Sequence, residues 1–169
     1  MSEIINKVAK SPLVTIDLEE MIDKQTARKS IDLSDQLFQG LILREKDFRQ
    51  YIKSTNWDEY KDAYVNVFCS ADAIIPNWAY MLVLSKLSGI VKLAIYGDDV
   101  ELEKEIIRFN IANIDVSQYE NGKLVIKGCS DLKHPEFAFA EITNHLVPVA
   151  SSIMYGEPCS TVPIYKKKK

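Results

Sequence analysis

The fold is decided by residues 63–97, which read AYVNVFCSADAIIPNWAYMLVLSKLSGIVKLAIYG. Residues 63–68 are rich in β-branched and aromatic side chains, which is typical of a strand. Residues 76–87 carry apolar side chains at helical spacing, with a proline at the start and a glycine soon after the end. Residues 91–96 form a second apolar run, and a glycine follows it. The pattern therefore predicts a strand, a helix and a second strand, which is the unit that connects parallel strands.

The same alternation continues toward the end of the chain. A second helix is predicted over residues 100–114 and a third strand over residues 123–128. A third helix is predicted from Pro135 to Ile153, and Pro148 is expected to kink it because proline removes an internal hydrogen bond. We expect the three strands to lie parallel in one sheet, with right-handed helical crossovers.

The first third of the chain is predicted to extend this core. Residues 13–18 and 31–33 have the composition of short strands, residues 44–53 of a helix, and residues 56–62 of a turn that packs its aromatic side chains. No stretch resembles a linker. The sequence therefore predicts a single α/β domain over residues 1–169, with two or three layers and a mainly parallel sheet that N-terminal strands extend.

The composition excludes several classes of protein. Of the 169 residues, 47% are hydrophobic and 27% are charged, which is ordinary for a globular domain. The net charge of −3 does not favour a nucleic-acid-binding surface, and no apolar run approaches the roughly 18 residues that span a bilayer. The start of the chain lacks the layout of a signal peptide. We therefore expect a cytoplasmic protein that binds neither nucleic acid nor membrane, and a homo-oligomer is compatible with the sequence.

Three cysteines, each followed by serine, mark the predicted site. Cys69 and Cys129 come where predicted strands end and helices are about to begin, an edge at which open α/β sheets bind ligands. Helix N-termini also favour thiolate over thiol. Cys159 follows the last predicted helix and can fold back to the same edge. Because three cysteines cannot all pair and the cytosol keeps thiols reduced, we expect free or metal-bound cysteines.

Three thiolates would suit zinc or the iron of an iron–sulfur cluster. Asp72 is the first candidate for a fourth ligand, ahead of Asp131 and His134. For one metal to bind all three thiolates, the sulfurs must approach to roughly 4 Å. We therefore expect the strand that ends at Cys69 to lie next to the strand that ends at Cys129.

Other roles for these residues stay open. Free cysteine often only fills a core, and aspartate before a helix is often an N-cap. A thiolate of Cys69 or Cys129 with His134 as base would instead suit a nucleophilic enzyme, provided that the two side chains are in contact. No catalytic residue is assigned, because no known catalytic motif is present.

Four stretches together resemble a bacterial family known as domain of unknown function 2480. They are CSADAIIPNWAY at residues 69–80, QLFQGLIL at residues 36–43, IKGC at residues 126–129 and SIMYGEPCSTVP at residues 152–163. The resemblance implies no established activity. It does imply a link to the SUF system of iron–sulfur cluster assembly, whose genes are expected beside those of the family. All three cysteines lie within the matching stretches.

The leading hypothesis is therefore a metal- or iron–sulfur-binding accessory protein in cluster assembly or metal handling. Its ligands would be Cys69, Cys129 and Cys159 with Asp72, and its predicted partners are iron–sulfur assembly proteins. The alternatives are a cysteine-dependent enzyme that acts on a small molecule, and a protein-interaction module in which the cysteines only pack.

Overall fold

The computed structural model describes residues 13–128 and 132–168. The fold class is α/β with parallel sheets, as predicted. The chain divides into two compact units. Residues 24–106 form the central unit, and residues 1–23 together with 107–169 form the split unit. A single domain over residues 1–169 stays a prediction.

The helices and strands are numbered here in chain order. They are β1 (Leu13–Asp17), α1 (Leu18–Met21), β2 (Arg28–Asp32), α2 (Glu45–Ser54), β3 (Tyr64–Phe68), α3 (Asn77–Leu87), β4 (Leu93–Tyr96), α4 (Asp99–Ala112), β5 (Lys123–Lys127), α5 (Pro135–Leu146), β6 (Ser152–Glu157) and β7 (Ser160–Lys166). Short 3₁₀ helices lie at Leu33–Gln36, Trp57–Tyr60 and Val116–Tyr119.

The central unit is built on a parallel sheet of order β2-β3-β4. β3 lies in the middle, and Val65 and Val67 on one face pack into a core that also contains residues of α2 and α3. On the other face, Tyr64 packs against Leu102 and Ile106 of α4. Burying an apolar side chain of this size contributes about 1.5–3 kcal/mol. The continuous apolar pattern of β3 follows from this burial on both faces.

The split unit has a sheet of order β1-β5-β6-β7, in which the first three strands are parallel and β7 is antiparallel to β6. Its core joins Leu124 and Ile126 of β5 to Ile142 and Leu146 of α5. β6 and β7 form a hairpin with Pro158 and Cys159 at its two-residue turn. The sheet therefore ends in a strand that reverses direction.

One segment of each unit follows the same series of elements, at a constant offset of 59 residues. Trp57–Tyr60 corresponds to Val116–Tyr119, and β3, α3 and β4 correspond to β5, α5 and β6. Local details repeat as well. Asp62 and Asn121 both have a positive φ, of 57° and 54°. Their amides donate to equivalent carbonyls, those of Ile90 and Val149. The two segments are therefore two versions of one structural repeat.

Two sequence predictions about the fold were wrong. β5 does not lie in the sheet of β3 and β4. It pairs with β1 in the other sheet, in the same way as β3 pairs with β2 in the central unit. The third helix ends at Leu146 instead of kinking at Pro148, since proline has no amide hydrogen with which to continue the helical hydrogen bonds. Ile153 consequently belongs to a strand, β6.

Candidate functional site

The candidate site lies at the carboxyl edge of the central sheet, where Asp32 joins two neighbouring strands. Asp32 is opposite Phe68 in the parallel register of β2 and β3, so the residues just beyond each strand meet there. Its Oδ1 accepts hydrogen bonds from the amides of Ser34 at 2.9 Å and Ser70 at 3.0 Å. Its Oδ2 accepts from the hydroxyl of Ser70. The carboxylate thus fixes the residue that directly follows Cys69 to the end of β2.

These hydrogen bonds determine the charge of Asp32. Burial works to raise its pKa, but the hydrogen bonds from Ser70 and Ser34 together lower the pKa below its usual value of 3.8. Asp32 is therefore a carboxylate at neutral pH.

Cys69 is a half-buried free thiol between the end of β3 and Ser70. Its Sγ lies 3.7 Å from the carbonyl oxygen of Ala71. Burial raises the pKa of Tyr80, and the charges of Tyr96, Cys69 and Asp32 raise it further. Cys69, Tyr80 and Tyr96 therefore lie within electrostatic reach of the Asp32 carboxylate, whose negative charge favours a cation over an anion.

An open cleft adjoins this region. Tyr80 of α3 and Tyr96 of β4 pack edge to face with ring centroids 4.8 Å apart. The cleft has a volume of about 490 Å³. Its lining residues are Ala73, Ile74, Ile75, Asn77, Tyr80 and Tyr96. The lining combines aliphatic side chains with the polar groups of Asn77 and the two tyrosines, which suits a ligand that has both apolar and polar parts.

A buried amide holds the third strand end in place. Asn66 of β3 is fully buried, and its Nδ2 donates to the carbonyl oxygen of Gly97 and to Oδ1 of Asp99, both at 3.1 Å. Ser30 donates to Oδ1 of Asn66 at 2.7 Å. This network ties β2 and β3 to the turn between β4 and α4. Asp98 and Asp99 lie at the start of α4, where the carboxylate of Asp98 accepts a hydrogen bond from the amide of Glu101. Their role here is therefore to begin the helix.

The predicted ligands lie in different parts of the fold. Cys69 and the exposed Asp72 belong to the central unit, whereas the exposed Cys159 belongs to the hairpin turn of the split unit. Cys129 and Asp131 lie outside the described residues. His134 comes directly before α5 with a left-handed backbone, φ 49°. No group of three or more His, Cys, Asp or Glu side chains that could hold a metal ion occurs within residues 13–128 and 132–168.

The predicted adjacency of the strands that end at Cys69 and Cys129 was wrong. β3 and β5 belong to separate sheets, so neighbouring strand ends do not bring these two cysteines together. A thiol ligand set built by adjacent strands is therefore excluded. The assignment of Cys69, Cys129, Cys159 and Asp72 as metal ligands stays a prediction.

Sequence reasoning missed Asp32, Tyr80 and Tyr96. A signal for Asp32 was present, because the chain contains Ile-Asp-Leu twice, at residues 16–18 and 31–33, each time at a strand end. In both copies the aspartate accepts a hydrogen bond from the amide two residues later. A signal for Tyr96 was its place before Gly97, repeated as Tyr-Gly at residues 155–156.

Fold and site together define an α/β protein with a parallel sheet whose carboxyl edge carries a thiol, a carboxylate and an aromatic cleft. The chain belongs to the family described as "Protein of unknown function (DUF2480)", which matches residues 2–167. The expected family is thus confirmed over nearly the whole chain. No curated protein and no solved structure matches the sequence. In the two described ranges, no helix combines the length and apolarity needed to cross a membrane.

Proposed function

We propose that the protein is a cytoplasmic bacterial accessory protein of metal handling or iron–sulfur cluster assembly, in which Cys69 is the thiolate that contacts the metal. The observation that carries this proposal is the position of Cys69 within electrostatic reach of Asp32 and Tyr80. Thiolates bind zinc and iron of iron–sulfur clusters, and neighbouring negative charge favours a bound cation. Iron–sulfur assembly proteins would be its partners.

The remaining metal ligands would come from outside the group formed by Cys69, Asp32 and Tyr80. Asp72 is exposed three positions after Cys69 and supplies a carboxylate in the same loop. Cys129, Cys159 or a thiol of a partner protein would complete the set. If a partner thiol completes the set, the site suits transient transfer of a metal or cluster better than permanent storage.

The test is to purify the protein anaerobically and to measure its metal and sulfide content together with its absorption spectrum. We expect metal in the wild-type protein, a severalfold loss in Cys69→Ser, and a smaller loss in Asp72→Asn. Asp58→Asn, which changes an exposed aspartate on a 3₁₀ helix of the same unit, is the matched control and should not alter the metal content. Metal-free wild-type protein that also fails reconstitution with Fe²⁺, sulfide or Zn²⁺ would contradict the proposal.

The same variants separate the alternatives. A catalytic thiol should ionise well below its reference pKa of about 8.5, so alkylation of Cys69 measured against pH would identify an enzyme. If Cys69→Ser changes neither metal content nor the rate of any thiol reaction but lowers stability, Cys69 is a packing residue.

A further inference from the structure

The 59-residue repeat places the same aromatic pair in both units, and in the split unit strand β7 borders the pocket beside that pair. Phe139 and Tyr155 pack edge to face with ring centroids 5.1 Å apart, as Tyr80 and Tyr96 do in the central unit. Ile164 of β7 lines this cleft, and only about 100 Å³ of space remains. The split unit therefore shows that an antiparallel strand on the neighbouring edge can bring an aliphatic side chain beside the aromatic pair.

In the central unit the corresponding cleft is open. Its volume is about 490 Å³, and Ile74 at its rim is 94% exposed. β4 corresponds to β6, yet among the described residues of the central unit no strand pairs with the other edge of β4. The element that β7 provides in one copy is absent from the other.

The edge strands β7 and β4 also differ in how well they are protected from pairing with a further strand. β7 carries Pro163, which has no amide to donate, and Lys166, and both features discourage further pairing. β4 reads Leu-Ala-Ile-Tyr and contains neither proline nor charge. An apolar edge strand of this kind is a template for another strand.

The backbone of β4 is oriented for such pairing. The amide of Lys92 donates to the carbonyl oxygen of Ala63, in the direction of β3. Because amides alternate in direction along a strand, those of Leu93 and Ile95 are directed toward the open edge. They are the groups that an added strand would bond.

We infer that the central unit binds an extended segment of a partner protein by strand addition to β4. The segment runs antiparallel to β4 and places a β-branched aliphatic side chain beside Tyr80 and Tyr96, as β7 places Ile164 beside Phe139 and Tyr155 in the split unit. Its N-terminal end lies near Asp98, since β7 begins opposite Glu157, the counterpart of Asp98. Asp98 and Asp72 are both exposed, which favours a basic residue at that end. The inference does not depend on metal binding at Cys69.

The probe is a capped, fluorescently labelled octapeptide, KSTVPIYK, in which a basic residue precedes the sequence of β7, STVPIYK. We expect saturable binding to the full-length protein by fluorescence polarisation, and at least tenfold weaker binding to Ile74→Asp. Leu41→Asp is the matched control, because it also adds a charge in place of an exposed leucine of the same unit, outside the cleft. Amide hydrogen exchange should slow at Leu93 and Ile95 when the peptide binds.

Several results would overturn the inference. The first two are absence of peptide binding to the wild-type protein and equal binding to Ile74→Asp and wild type. The third is slower amide hydrogen exchange in β6 in place of β4, which would indicate that the peptide exchanges with a strand of the split unit. Binding at the cleft without slower exchange at Leu93 and Ile95 would reject strand addition. A dimer that Ile74→Asp converts to monomer in sedimentation would assign the edge to a second copy of the chain and not to a partner.

Discussion

Asp32 is the residue on which the geometry of the candidate site depends. Its carboxylate accepts three hydrogen bonds from Ser34 and Ser70, and these bonds connect the ends of two strands around Cys69. A carboxylate in this role is a positioning group for the thiol beside it. Its charge state should therefore be visible in the stability of the protein.

We expect Asp32→Asn to lower the free energy of unfolding by about 1 kcal/mol at neutral pH, the usual cost of a weakened cap. The pKa of Asp32 is lowered in the folded protein, so its stabilising effect is complete above the unfolded value of 3.8. The effect is lost as the pH falls through the folded pKa. Urea denaturation at neutral and acidic pH measures the difference between the variant and wild type, which should shrink in acid. Asp58→Asn is the control, and a difference that is equal at both pH values would show that charge plays no part.

The two described cysteines should differ in reactivity because they differ in exposure. Cys159 is exposed at the hairpin turn, whereas Cys69 is half-buried beside Ala71. We expect iodoacetamide to alkylate Cys159 severalfold faster than Cys69 in the folded protein. Peptide mass spectrometry over a time course gives both rates, and unfolding in urea should bring them together. Faster reaction at Cys69 would instead indicate an activated thiol.

The β6–β7 hairpin depends on a backbone conformation that only glycine adopts easily. Gly156 has φ 113°, and a Cβ at that position would lie 2.6 Å from the carbonyl oxygen of Ser160. We expect Gly156→Ala to lower the free energy of unfolding by about 1–3 kcal/mol. Gly89→Ala is the control, because Gly89 also has a positive φ, 78°, but a Cβ there meets no atom within 4 Å. Thermal denaturation should show a larger loss of stability for Gly156→Ala than for Gly89→Ala. Equal losses would mean that the backbone shifts to remove the close contact with Ser160.

Local sequence patterns identified most elements but not how strands pair. The strands β3 and β4 and the helices α2, α3 and α4 were predicted within a few residues, because each carries its own periodicity and end signals. The partner of β5 could not be predicted in this way. β1 lies near the other end of the chain, and nothing in the local pattern of β5 selects β1 over β4.

The end of α5 and the start of β6 show a second limit of prediction from local sequence patterns. Ile153 continues the helical spacing of Ile142 and Leu146, so the sequence pattern favours a longer helix. Pro148 ends the helix, and pairing with β5 then makes Ile153 part of a strand. For the site, the position of Cys69 at a strand end was predicted. Its partner Asp32 was not, because their proximity depends on the register of β2 and β3.

Each unit of the molecule has its own interior strands, and these should be the most protected parts of the chain. β3 is flanked by β2 and β4, and β5 is flanked by β1 and β6. We expect the slowest amide hydrogen exchange in the intact protein at residues 65–67 and 124–126. The outer strands β4 and β7 should exchange faster. Exchange measured by NMR or mass spectrometry tests this, and equally slow exchange in β4 without added peptide would mean that its edge is already paired.

The constant offset between the two copies has a meaning for the history of the chain. Segments that correspond element by element without insertion, as residues 57–97 and 116–156 do, are the expected product of tandem duplication within a gene, after which each copy changes independently. Residues that stayed identical, such as Pro76 and Pro135, mark what the shared geometry requires. Asn66 is polar and fully buried, whereas its counterpart Val125 is apolar and equally buried. The second copy folds without the amide, so the shared geometry does not require the amide network, which is a feature of the first copy.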